Sequence, residues 1–432
     1  TIIGLWHQGV VAAACLADLG FNITAADFDK KKINNLSKGI TPIFEPGLEE
    51  LVKKGLKSGR LKFISDLSLA VSKKEFIFLM FDTKVDEDDA TDLSEIFFAI
   101  EEIATSLKND SLIYNASQVP VGTSDQLLEI IKNKNSKINL SIVYSPENLR
   151  LGQALNLFLE PALPVIGSDE IEALDRMENL LKPLNANWQR VNLKTAEMCK
   201  HALNSFLATT ITFANELGNI CDLVGADGYE IAKALRLEPR ISPKAMLRPG
   251  MGFSGGTLAR DVQTLRKIGD KSGIETYLLD GLWETNIYQN KYVIRTLFEI
   301  FKDIKNKKVT VLGITYKPGT STLRRSVALE TIKYLNSHGV EIKVHDPKAD
   351  KKELYNYSGF VFKENISDAI DDAEAVVIMT GWEEYKNIDW KFYKAKLSNP
   401  IIIDCNNMLD NEKLICLGFK YFCIGRGLNL NK

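Results

Sequence analysis

The sequence has few cysteines, no excess of charge of one sign and no long apolar run. Its 54 lysines and arginines nearly balance 56 aspartates and glutamates, so no bulk field would attract nucleic acid or an anionic membrane. It also lacks a run of about 18 apolar residues and a basic, hydrophobic start, so we predict neither a membrane span nor a secretory signal and expect a cytoplasmic protein. The six cysteines form no C-x-x-C pair, which favours reduced thiols over disulfides or a zinc site. They are Cys15, Cys199, Cys221, Cys405, Cys416 and Cys423.

Metal-ligand and hydrolase motifs are missing as well. The four histidines, at positions 7, 201, 338 and 345, show no ligand spacing, so no metal site is expected. No G-x-S-x-G elbow and no P-loop lysine motif occurs. What is present is a 432-residue chain with 45% hydrophobic residues, enough for two or three globular cores.

The first thirty residues predict a βαβ unit. An apolar start is followed by a glycine turn at residues 4–9, a helix-forming stretch at 10–19 and an alternating strand at 21–27. Apolar strands alternate with amphipathic stretches further on, near residues 76–81, 111–114 and 141–143. This pattern predicts a mostly parallel, doubly wound sheet over about residues 1–185.

The middle of the chain predicts a long helix and then a second α/β domain. Apolar residues recur every three or four positions over residues 193–224, a length that suits a helix bridging two domains or packing on a second subunit. Helical pattern continues to about residue 300, interrupted at 248–256, before a new βα series that starts at 309. We therefore expect two Rossmann-like domains joined by a helical region, with boundaries at 1–190, 191–300 and 301–432.

A dinucleotide fingerprint, G-x-G-x-x-G, is present in altered form. Gly4 and Gly9 occupy its outer positions, but Trp6 replaces the middle glycine, which normally lets the backbone approach a pyrophosphate. From these residues alone, an anion site at the helix N-terminus and a joint whose glycines serve only packing are equally supported. Asp27, at the end of the second strand, is either an acceptor for the ribose 2′-hydroxyl, favouring NAD, or a solvated loop acid.

Three further features have both a functional and a purely structural interpretation. Lys200 and Asn204 lie four apart on the long helix, hence on one face, where they could stabilise an oxyanion or simply be solvated. Glu147 follows a strand, where ligand sites of α/β sheets are found, although an isolated glutamate is usually surface. The glycine-rich stretch at 250–256 could wrap a ligand or be a plain loop.

Taken together, the segments resemble the UDP-glucose/GDP-mannose dehydrogenase family over essentially the whole chain and in the family's order. The matching stretches are Pro42-Ile43-Phe44-Glu45-Pro46-Gly47-Leu48, Asp92-Leu93-Ser94, Val119-Pro120-Val121-Gly122-Thr123, Ser145-Pro146-Glu147, Ala196-Glu197-Met198, Asn204-Ser205-Phe206-Leu207-Ala208, Gly252-Phe253, Lys317-Pro318, Trp382 and Ile424-Gly425-Arg426. The resemblance implies an N-terminal NAD domain, a dimer-forming central helix and a C-terminal domain that holds the UDP or GDP of a nucleotide sugar.

The resemblance also implies a chemistry. Members of this family use two NAD molecules in turn to oxidise a primary C6 alcohol to a carboxylate, through a cysteine that captures the aldehyde. The oxyanion-stabilising lysine and asparagine map to Lys200 and Asn204. The aspartate and the glutamate that position water and protons map to Asp261 and Glu147.

Binding residues follow from the same matches. The resemblance implies that Arg240 reaches the partner subunit's substrate, that Lys317 serves the nucleotide site and that Arg324 lies on the cofactor side. The shape of the nucleotide pocket depends on the loops around Arg248 and Tyr316, which are candidate contacts. The expected cofactor-binding residues are Gly4, Trp6, Gly9, Asp27, Thr83, Gln118 and Arg324. The expected substrate-binding residues are Leu149, Arg150, Arg240, Gly252, Phe253 and Lys317.

The chain departs from the family pattern at several of these positions. The family's nucleophilic cysteine is Thr257, its water-positioning threonine is Gln118, and a late arginine is Asn406. The usual valine-proline-threonine-proline reads Phe81-Asp82-Thr83-Lys84. A threonine hydroxyl needs an adjacent general base to attack, and the motif around position 257 contains no histidine, so covalent capture is not expected there.

These departures leave three kinds of function open. The first is an NAD-dependent nucleotide-sugar oxidoreductase limited to one two-electron oxidation. The second is a redox-neutral epimerase that oxidises the sugar, exchanges an acidified proton and returns the hydride. The third is a nucleotide-sugar-binding protein without catalysis. The full four-electron reaction, with water attacking directly, has the least support.

Overall fold

The chain forms two compact units, Thr1–Leu203 and Asn204–Lys432. The computed structural model describes residues 1–86, 91–254 and 256–428. The boundary between the units falls inside the long helix that the sequence predicts over residues 193–224, and the structure places this helix, α9, at Leu193–Val224.

The first unit is built on a sheet whose order, among the described residues, is β3-β2-β1-β4-β5-β6-β7-β8. All neighbouring pairs are parallel except β6 and β7, which are antiparallel. The first six strands have the 3-2-1-4-5-6 order of dinucleotide-binding sheets. The strands are β1 (Ile2–Ile3), β2 (Ile23–Ala26), β3 (Leu61–Ile64), β4 (Phe76–Leu79), β5 (Ser111–Asn115), β6 (Leu140–Tyr144), β7 (Val165–Gly167) and β8 (Gln189–Val191).

Helices cover both faces of this sheet, and each face has its own apolar core. The central strands are buried on both sides, which is why they read as continuous apolar runs rather than as alternating ones. The helices are α1 (His7–Asp18), α2 (Lys30–Leu36), α3 (Leu48–Lys57), α4 (Leu67–Val71), α5 (Ser94–Ile103), α6 (Thr123–Lys134), α7 (Ala154–Leu159) and α8 (Ile171–Leu181), followed by the start of α9.

The second unit contains an all-parallel sheet, of order β11-β10-β9-β12-β13-β14 among the described residues, again with a core on each face. Its strands are β9 (Lys308–Leu312), β10 (Glu341–His345), β11 (Val361–Phe362), β12 (Ala375–Ile378), β13 (Ile401–Asp404) and β14 (Lys420–Cys423). Helices α10 (Gly228–Leu235), α11 (Leu258–Ser272), α12 (Tyr277–Asn290) and α13 (Tyr292–Phe301) precede it. The helices that lie between or after its strands in the chain are α14 (Val327–Ser337), α15 (Lys351–Leu354), α16 (Ile366–Ile370), α17 (Glu383–Lys386), α18 (Trp390–Lys394) and α19 (Asn411–Cys416).

The predicted fold class is therefore confirmed: two Rossmann-like α/β sheets and a long central helix. The sequence misplaced some element ends. Helix α1 begins at His7 rather than at residue 10, because the backbone at Gly4 has a positive φ of 91° and turns the chain at once from strand to helix. Among the described residues, no helix is both long and apolar enough to span a bilayer.

The joint between β1 and α1 predicts a sharp stability effect. A Cβ added at Gly9 would lie 1.8 Å from the Gly4 carbonyl oxygen, so Gly9→Ala must push helix and strand apart. We expect the free energy of unfolding, measured by urea denaturation, to fall by about 3 kcal/mol. Gly281→Ala is the control, because Gly281 also lies inside a helix but has open space at its Cβ. It should be neutral or stabilising by about 0.5–1 kcal/mol, and equal losses in both variants would contradict this account.

Candidate functional site

Polar residues gather at the carboxyl ends of the strands of the first unit. The sheet order reverses between β1 and β4, and ligands of open α/β sheets bind beyond the strand ends at such a switch point. Trp6 and His7 follow β1, Asp82 follows β4, Gln118 follows β5 and Glu147 follows β6. This edge of the sheet is therefore the candidate site of the first unit.

The turn after β1 is fixed by a buried carboxylate. Asp27 is only 2% exposed. Its Oδ2 accepts a hydrogen bond from the Leu5 backbone N–H at 2.8 Å and forms an ion pair with Lys32 Nζ at 2.6 Å. The interpretation of Asp27 as a solvated loop acid is therefore wrong. Its position at the end of β2, beside the glycine turn, suits an acidic residue that faces a ribose, which stays a prediction.

Trp6 lies at the N-cap position of α1 and is 45% exposed, so its indole does not fill the joint between strand and helix. The next side chain, His7, is buried, and its Nε2 lies 3.2 Å from Glu45 Oε2. Glu45 also accepts hydrogen bonds from the backbone N–H groups of Gly152 and Ala154, both at 2.9 Å. The fingerprint helix is thereby tied to the loop that follows Glu147.

The N-terminus of α1 holds an anion supplied by the protein itself. Asp82 Oδ2 accepts hydrogen bonds from the backbone N–H groups of His7 at 3.2 Å and Gln8 at 3.4 Å. Burial raises the pKa of Asp82, and the nearby His7 and Lys32 oppose that shift. These N–H groups point where a dinucleotide pyrophosphate binds in Rossmann domains, so the donor set fits such a cofactor, with the Asp82 carboxylate in its place.

Two of the predicted cofactor residues lie together at the neighbouring strand ends. Thr83 Oγ1 donates to the Gln118 carbonyl at 2.7 Å. A second hydrogen bond joins the two loops, because the Phe81 N–H donates to Ser117 Oγ at 2.9 Å. The loops after β4 and β5 therefore form one surface beside α1.

Glu147 and Lys200 form an electrostatic pair in a largely dry setting. Burial raises the pKa of Glu147 to about 7, although Lys200 opposes the shift, and the charge of Asp82 adds to it. Lys200 is only 7% exposed, and its Nζ donates to Asn148 Oδ1 at 3.1 Å. The solvated interpretation of Lys200 is therefore wrong, whereas Glu147 is half-buried. The Leu149 N–H also donates to the Glu147 carboxylate, which fixes this loop.

The expected substrate residues after Glu147 differ in exposure. Leu149 packs against the core of the first unit, whereas Arg150 is exposed. The Arg150 carbonyl accepts the Gln153 N–H at 3.0 Å, closing a turn just before α7.

In the second unit, Asn204 and Asp261 are brought together. The Asn204 amide donates to Asp261 Oδ2, and both residues are buried. Arg260, also buried, places its Nε 4.0 Å from Asp261 Oδ1. Asn204 therefore does not lie on a solvated face, and its amide is oriented by a carboxylate.

The glycine-rich loop before α11 is held by α12. The Phe253 N–H donates to Asn286 Oδ1 at 2.8 Å, and its carbonyl accepts from Asn286 Nδ2 at 2.9 Å and from Asn290 Nδ2 at 3.3 Å. A Cβ at Gly252 would lie 2.5 Å from Asn286 Oδ1 and 2.5 Å from Asn290 Oδ1, which explains the glycine. Thr257 is exposed at the N-cap position of α11, and its side chain makes no cap hydrogen bond. Gly255 lies outside the described residues.

The carboxyl edge of the second sheet carries the expected nucleotide residues. Asp346 Oδ2 accepts from the N–H groups of Ile314 and Thr315, at 2.8 and 2.9 Å, and from Trp382 Nε1 at 3.2 Å, so it fixes the loop after β9. That loop leads to Lys317, which is exposed, and to Arg324, which is exposed as well.

Two other arginines of the second unit lie in different settings. Arg248 stacks over the Tyr229 ring at 4.8 Å and donates a hydrogen bond to the Asn406 carbonyl at 2.8 Å. Asn406 is the residue that replaces the family's late arginine. Arg240 is strongly exposed and pairs with Glu238 at 2.8 Å. Arg240 therefore presents its guanidinium to the surface rather than to a buried site of its own unit.

The six cysteines are free thiols, and burial raises the pKa of Cys15, Cys199 and Cys405. Raised pKa values make these thiols poor nucleophiles. Across residues 1–86, 91–254 and 256–428 we find no group of three or more His, Cys, Asp or Glu side chains arranged to hold a metal ion.

Sequence reasoning missed the roles of three residues. Asp82 was noted only as a departure from a proline, although an acid directly after a buried strand and beside the fingerprint was a usable signal. Asn148 and Asn286 gave no signal, because their importance depends on contacts with Lys200 and Phe253 that are distant in sequence.

Comparison with known proteins agrees with this geometry. The UDP-glucose/GDP-mannose dehydrogenase family matches in three parts: its NAD binding domain at residues 1–185, its central domain at 194–288 and its UDP binding domain at 310–411. The UDP-glucose 6-dehydrogenase TuaD of Bacillus subtilis is 33% identical over 98% of this chain and 92% of its own length. The UDP-glucose 6-dehydrogenase of Rhizobium meliloti is 33% identical over 99% of both chains.

Solved structures show the same relationship. The structure of a UDP-glucose dehydrogenase from Pyrobaculum islandicum superposes with a TM-score of 0.86 at 27% identity, covering 99% of this chain and 96% of that one. The match to the family's NAD binding domain and the dinucleotide-type strand order identify NAD as the cofactor. The chain belongs to the UDP-glucose/GDP-mannose dehydrogenase family and is an NAD-dependent oxidoreductase of the nucleotide-sugar dehydrogenase type.

Proposed function

We propose that this enzyme oxidises a UDP-linked sugar by two electrons, from the C6 alcohol to the aldehyde, and does not continue to the acid. The observation that carries the proposal is the exposed Thr257 hydroxyl at the position of the family's cysteine. Each unit by itself keeps candidate groups for the reaction, namely Glu147 with Lys200 in the first and Asn204 with Asp261 in the second. The UDP binding domain match and the UDP-glucose 6-dehydrogenase relatives support the substrate class. We propose GDP-linked sugars as the alternative substrates.

The chain organisation that we propose follows this function. Residues 1–190 bind NAD, residues 191–300 form the central region and residues 301–432 hold the nucleotide. The family matches at 1–185, 194–288 and 310–411 support these bounds. The absence of disulfides among the described cysteines supports a reducing, cytoplasmic location.

The proposed first step is removal of the hydroxyl proton as the carbonyl forms. Glu147 suits the role of proton acceptor, because a pKa of about 7 leaves its carboxylate partly ionised at neutral pH and able to hold the proton afterwards. The C6–H electron pair would leave as a hydride, and NAD would supply the acceptor when it is bound. The substrate thus loses one proton and one hydride, and its C–O single bond becomes a C=O bond.

Lys200 and Asn204 stabilise the negative charge on the reacting oxygen in this proposal. Both are buried, and their spacing of four puts them on one face of α9. The ammonium supplies a full charge and the amide a directed N–H, which act strongly where water is excluded. Asp261 is a positioning residue, because its carboxylate accepts the Asn204 amide and fixes which end of that amide faces outward.

Thr257 is the reason why we expect the reaction to stop at the aldehyde. A second oxidation needs a tetrahedral adduct of the aldehyde, and a thiol forms one readily because it is partly thiolate. A threonine hydroxyl is almost fully protonated at neutral pH and needs a base. The nearby Asp261 carboxylate is already engaged by Asn204. Cys199 does not replace the missing thiol, because it packs against the core and burial raises its pKa.

The cofactor and substrate residues keep the roles that the family resemblance implies. The strand ends of the first unit, where NAD would be held, are lined by Gly4, Trp6, Gly9, Asp27, Thr83 and Gln118. The residues proposed to contact the substrate are Leu149, Arg150, Gly252, Phe253 and Lys317, and Arg324 is proposed to lie on the cofactor side. The exposed Arg240 suits a residue that reaches out to a neighbouring subunit.

We propose a homodimer through α9. Phe206, Phe213 and Ile220 are 66%, 54% and 50% exposed, and they recur every seven residues, which is the spacing of a helix–helix seam. Large apolar side chains in such a row are costly to leave in water. A second copy of the chain, with the same row, is the occupant that we propose.

The number of NADH molecules formed per sugar tests the proposed reaction. We expect one NADH per UDP-sugar in wild type, read at 340 nm with the product identified by mass spectrometry. Thr257→Cys should restore the missing nucleophile and raise the count toward two, with an acid as product. Thr257→Ser, which keeps a hydroxyl, is the control and should leave the count at one.

The other outcomes separate the rival functions. Two NADH per sugar in wild type would overturn the proposal. No net NADH, with deuterium from solvent in the recovered sugar, would indicate an epimerase. Calorimetry that detects UDP-sugar binding but no NAD binding would indicate a non-catalytic protein.

The environment of Glu147 predicts a pH-dependent stability difference. The folded-state pKa, about 7, lies above the ordinary value of 4.5, so the folded protein binds a proton that the unfolded chain releases. Wild-type stability relative to Glu147→Gln therefore falls as pH rises from 5 to 8, by roughly 2–3 kcal/mol. Urea denaturation at the two pH values measures it. Glu129→Gln, on the exposed side of α6, is the control, and an equal difference at both pH values would refute the shift.

The dimer proposal predicts that Phe213→Glu yields monomers. A charge placed in the apolar seam of both copies must be desolvated beside its own counterpart, so association should weaken by at least a hundredfold, equivalent to about 3 kcal/mol. Light scattering coupled to size-exclusion chromatography gives the mass. Phe392→Glu, at a phenylalanine on α18 that is 56% exposed, is the matched control and should remain dimeric. An unchanged mass for Phe213→Glu would rule out this seam.

A further inference from the structure

The Asp82 carboxylate lies at the N-terminus of α1, where the pyrophosphate of a bound cofactor would lie. Asp82 Oδ2 accepts hydrogen bonds from the first two N–H groups of α1, those of His7 and Gln8, at 3.2 and 3.4 Å. Unsatisfied N–H groups and the positive end of the helix dipole make such a terminus a pyrophosphate site. The donors are the same for both anions, so a pyrophosphate and the ionised Asp82 cannot both use them.

We propose that Asp82 occupies the pyrophosphate-binding N–H groups of α1 in the unliganded protein, and that NAD binding must displace or neutralise this carboxylate. The residue therefore sets the affinity for the cofactor. This inference depends on NAD as the cofactor and not on how many electrons the reaction transfers.

The position of Asp82 makes the competition direct. The fingerprint turn is tightly packed, because a Cβ at Gly4 would lie 3.0 Å from the Met80 carbonyl oxygen and one at Gly9 would lie 1.8 Å from the Gly4 carbonyl oxygen. Helix α1 cannot retreat from the strand ends, so the side chain of Asp82 has to move. Asp82 precedes Thr83, which is hydrogen-bonded to the Gln118 carbonyl, so the adjacent backbone is held and the motion is confined largely to the Asp82 side chain.

The charged groups around Asp82 determine how the competition varies with pH. His7 and Lys32 favour its ionised form, whereas burial favours its protonated form and raises its pKa. Glu147 interacts with Asp82 as a like charge. His7 is itself paired with Glu45 and Lys32 with Asp27, so much of the positive charge near Asp82 is already compensated. Ionised Asp82 opposes the pyrophosphate, so affinity for NAD should fall as pH rises.

The test is the dissociation constant of NAD, measured by isothermal titration calorimetry at pH 5 and pH 8 without sugar. We expect Asp82→Asn to bind NAD roughly tenfold more tightly than wild type at pH 8, because a neutral amide can still accept from the two N–H groups but repels no phosphate. The difference should shrink at pH 5, because acidification toward the raised pKa of Asp82 protonates the wild-type carboxylate. Asp82→Ser, which removes the carboxylate altogether, should behave in the same way.

Asp66→Asn is the matched control, because Asp66 is also a carboxylate that accepts a helix N-terminal N–H, that of Leu69 at 2.8 Å, but it caps α4. It should bind NAD as wild type does at both pH values. Thermal unfolding without NAD confirms that each variant is folded. Equal or weaker NAD binding by both Asp82 variants, in folded protein, would overturn the inference. It would leave the proposed reaction untouched, since that reaction is judged by NADH per sugar.

Discussion

The close packing of Gly9 on the Gly4 carbonyl is the contact on which the first unit depends. With 1.8 Å available where a Cβ would lie, only two glycines let α1 begin directly behind β1. This packing places the N–H groups of His7 and Gln8 at the switch point of the sheet, where they bind Asp82. The anion preference of the site thus follows from backbone geometry, before any charged side chain is considered.

Two acids beside the N-terminus of α1 determine the electrostatics of this edge of the sheet. Burial raises the pKa of both Asp82 and Glu147, and nearby charges shift each pKa further. Lys200 and Lys32 supply the opposing charge at two separate points. The charge at the N-terminus of α1 therefore contributes to the proton affinity of Glu147.

The sequence predicted the architecture well, because repeated apolar strands and the 193–224 periodicity depend on local pattern. It predicted the end of α9 to the residue but placed the start of α1 three residues late, since a glycine turn with positive φ leaves no room for a cap. It could not decide whether Lys200, Asn204 and Glu147 were solvated. Burial is decided by partners such as Asn148 and Asp261, which lie far away in the sequence.

The two departures at positions 82 and 257 bear on the choice between oxidation and epimerisation. An epimerase must return the hydride to the same sugar, so it benefits from a cofactor that stays bound throughout the cycle. A carboxylate on the pyrophosphate donors works against retention and favours exchange of NADH for NAD after each turnover. Exchange is what net oxidation requires. The Asp82 contact therefore supports net oxidation over epimerisation, whereas Thr257 bears on how many electrons the oxidation removes.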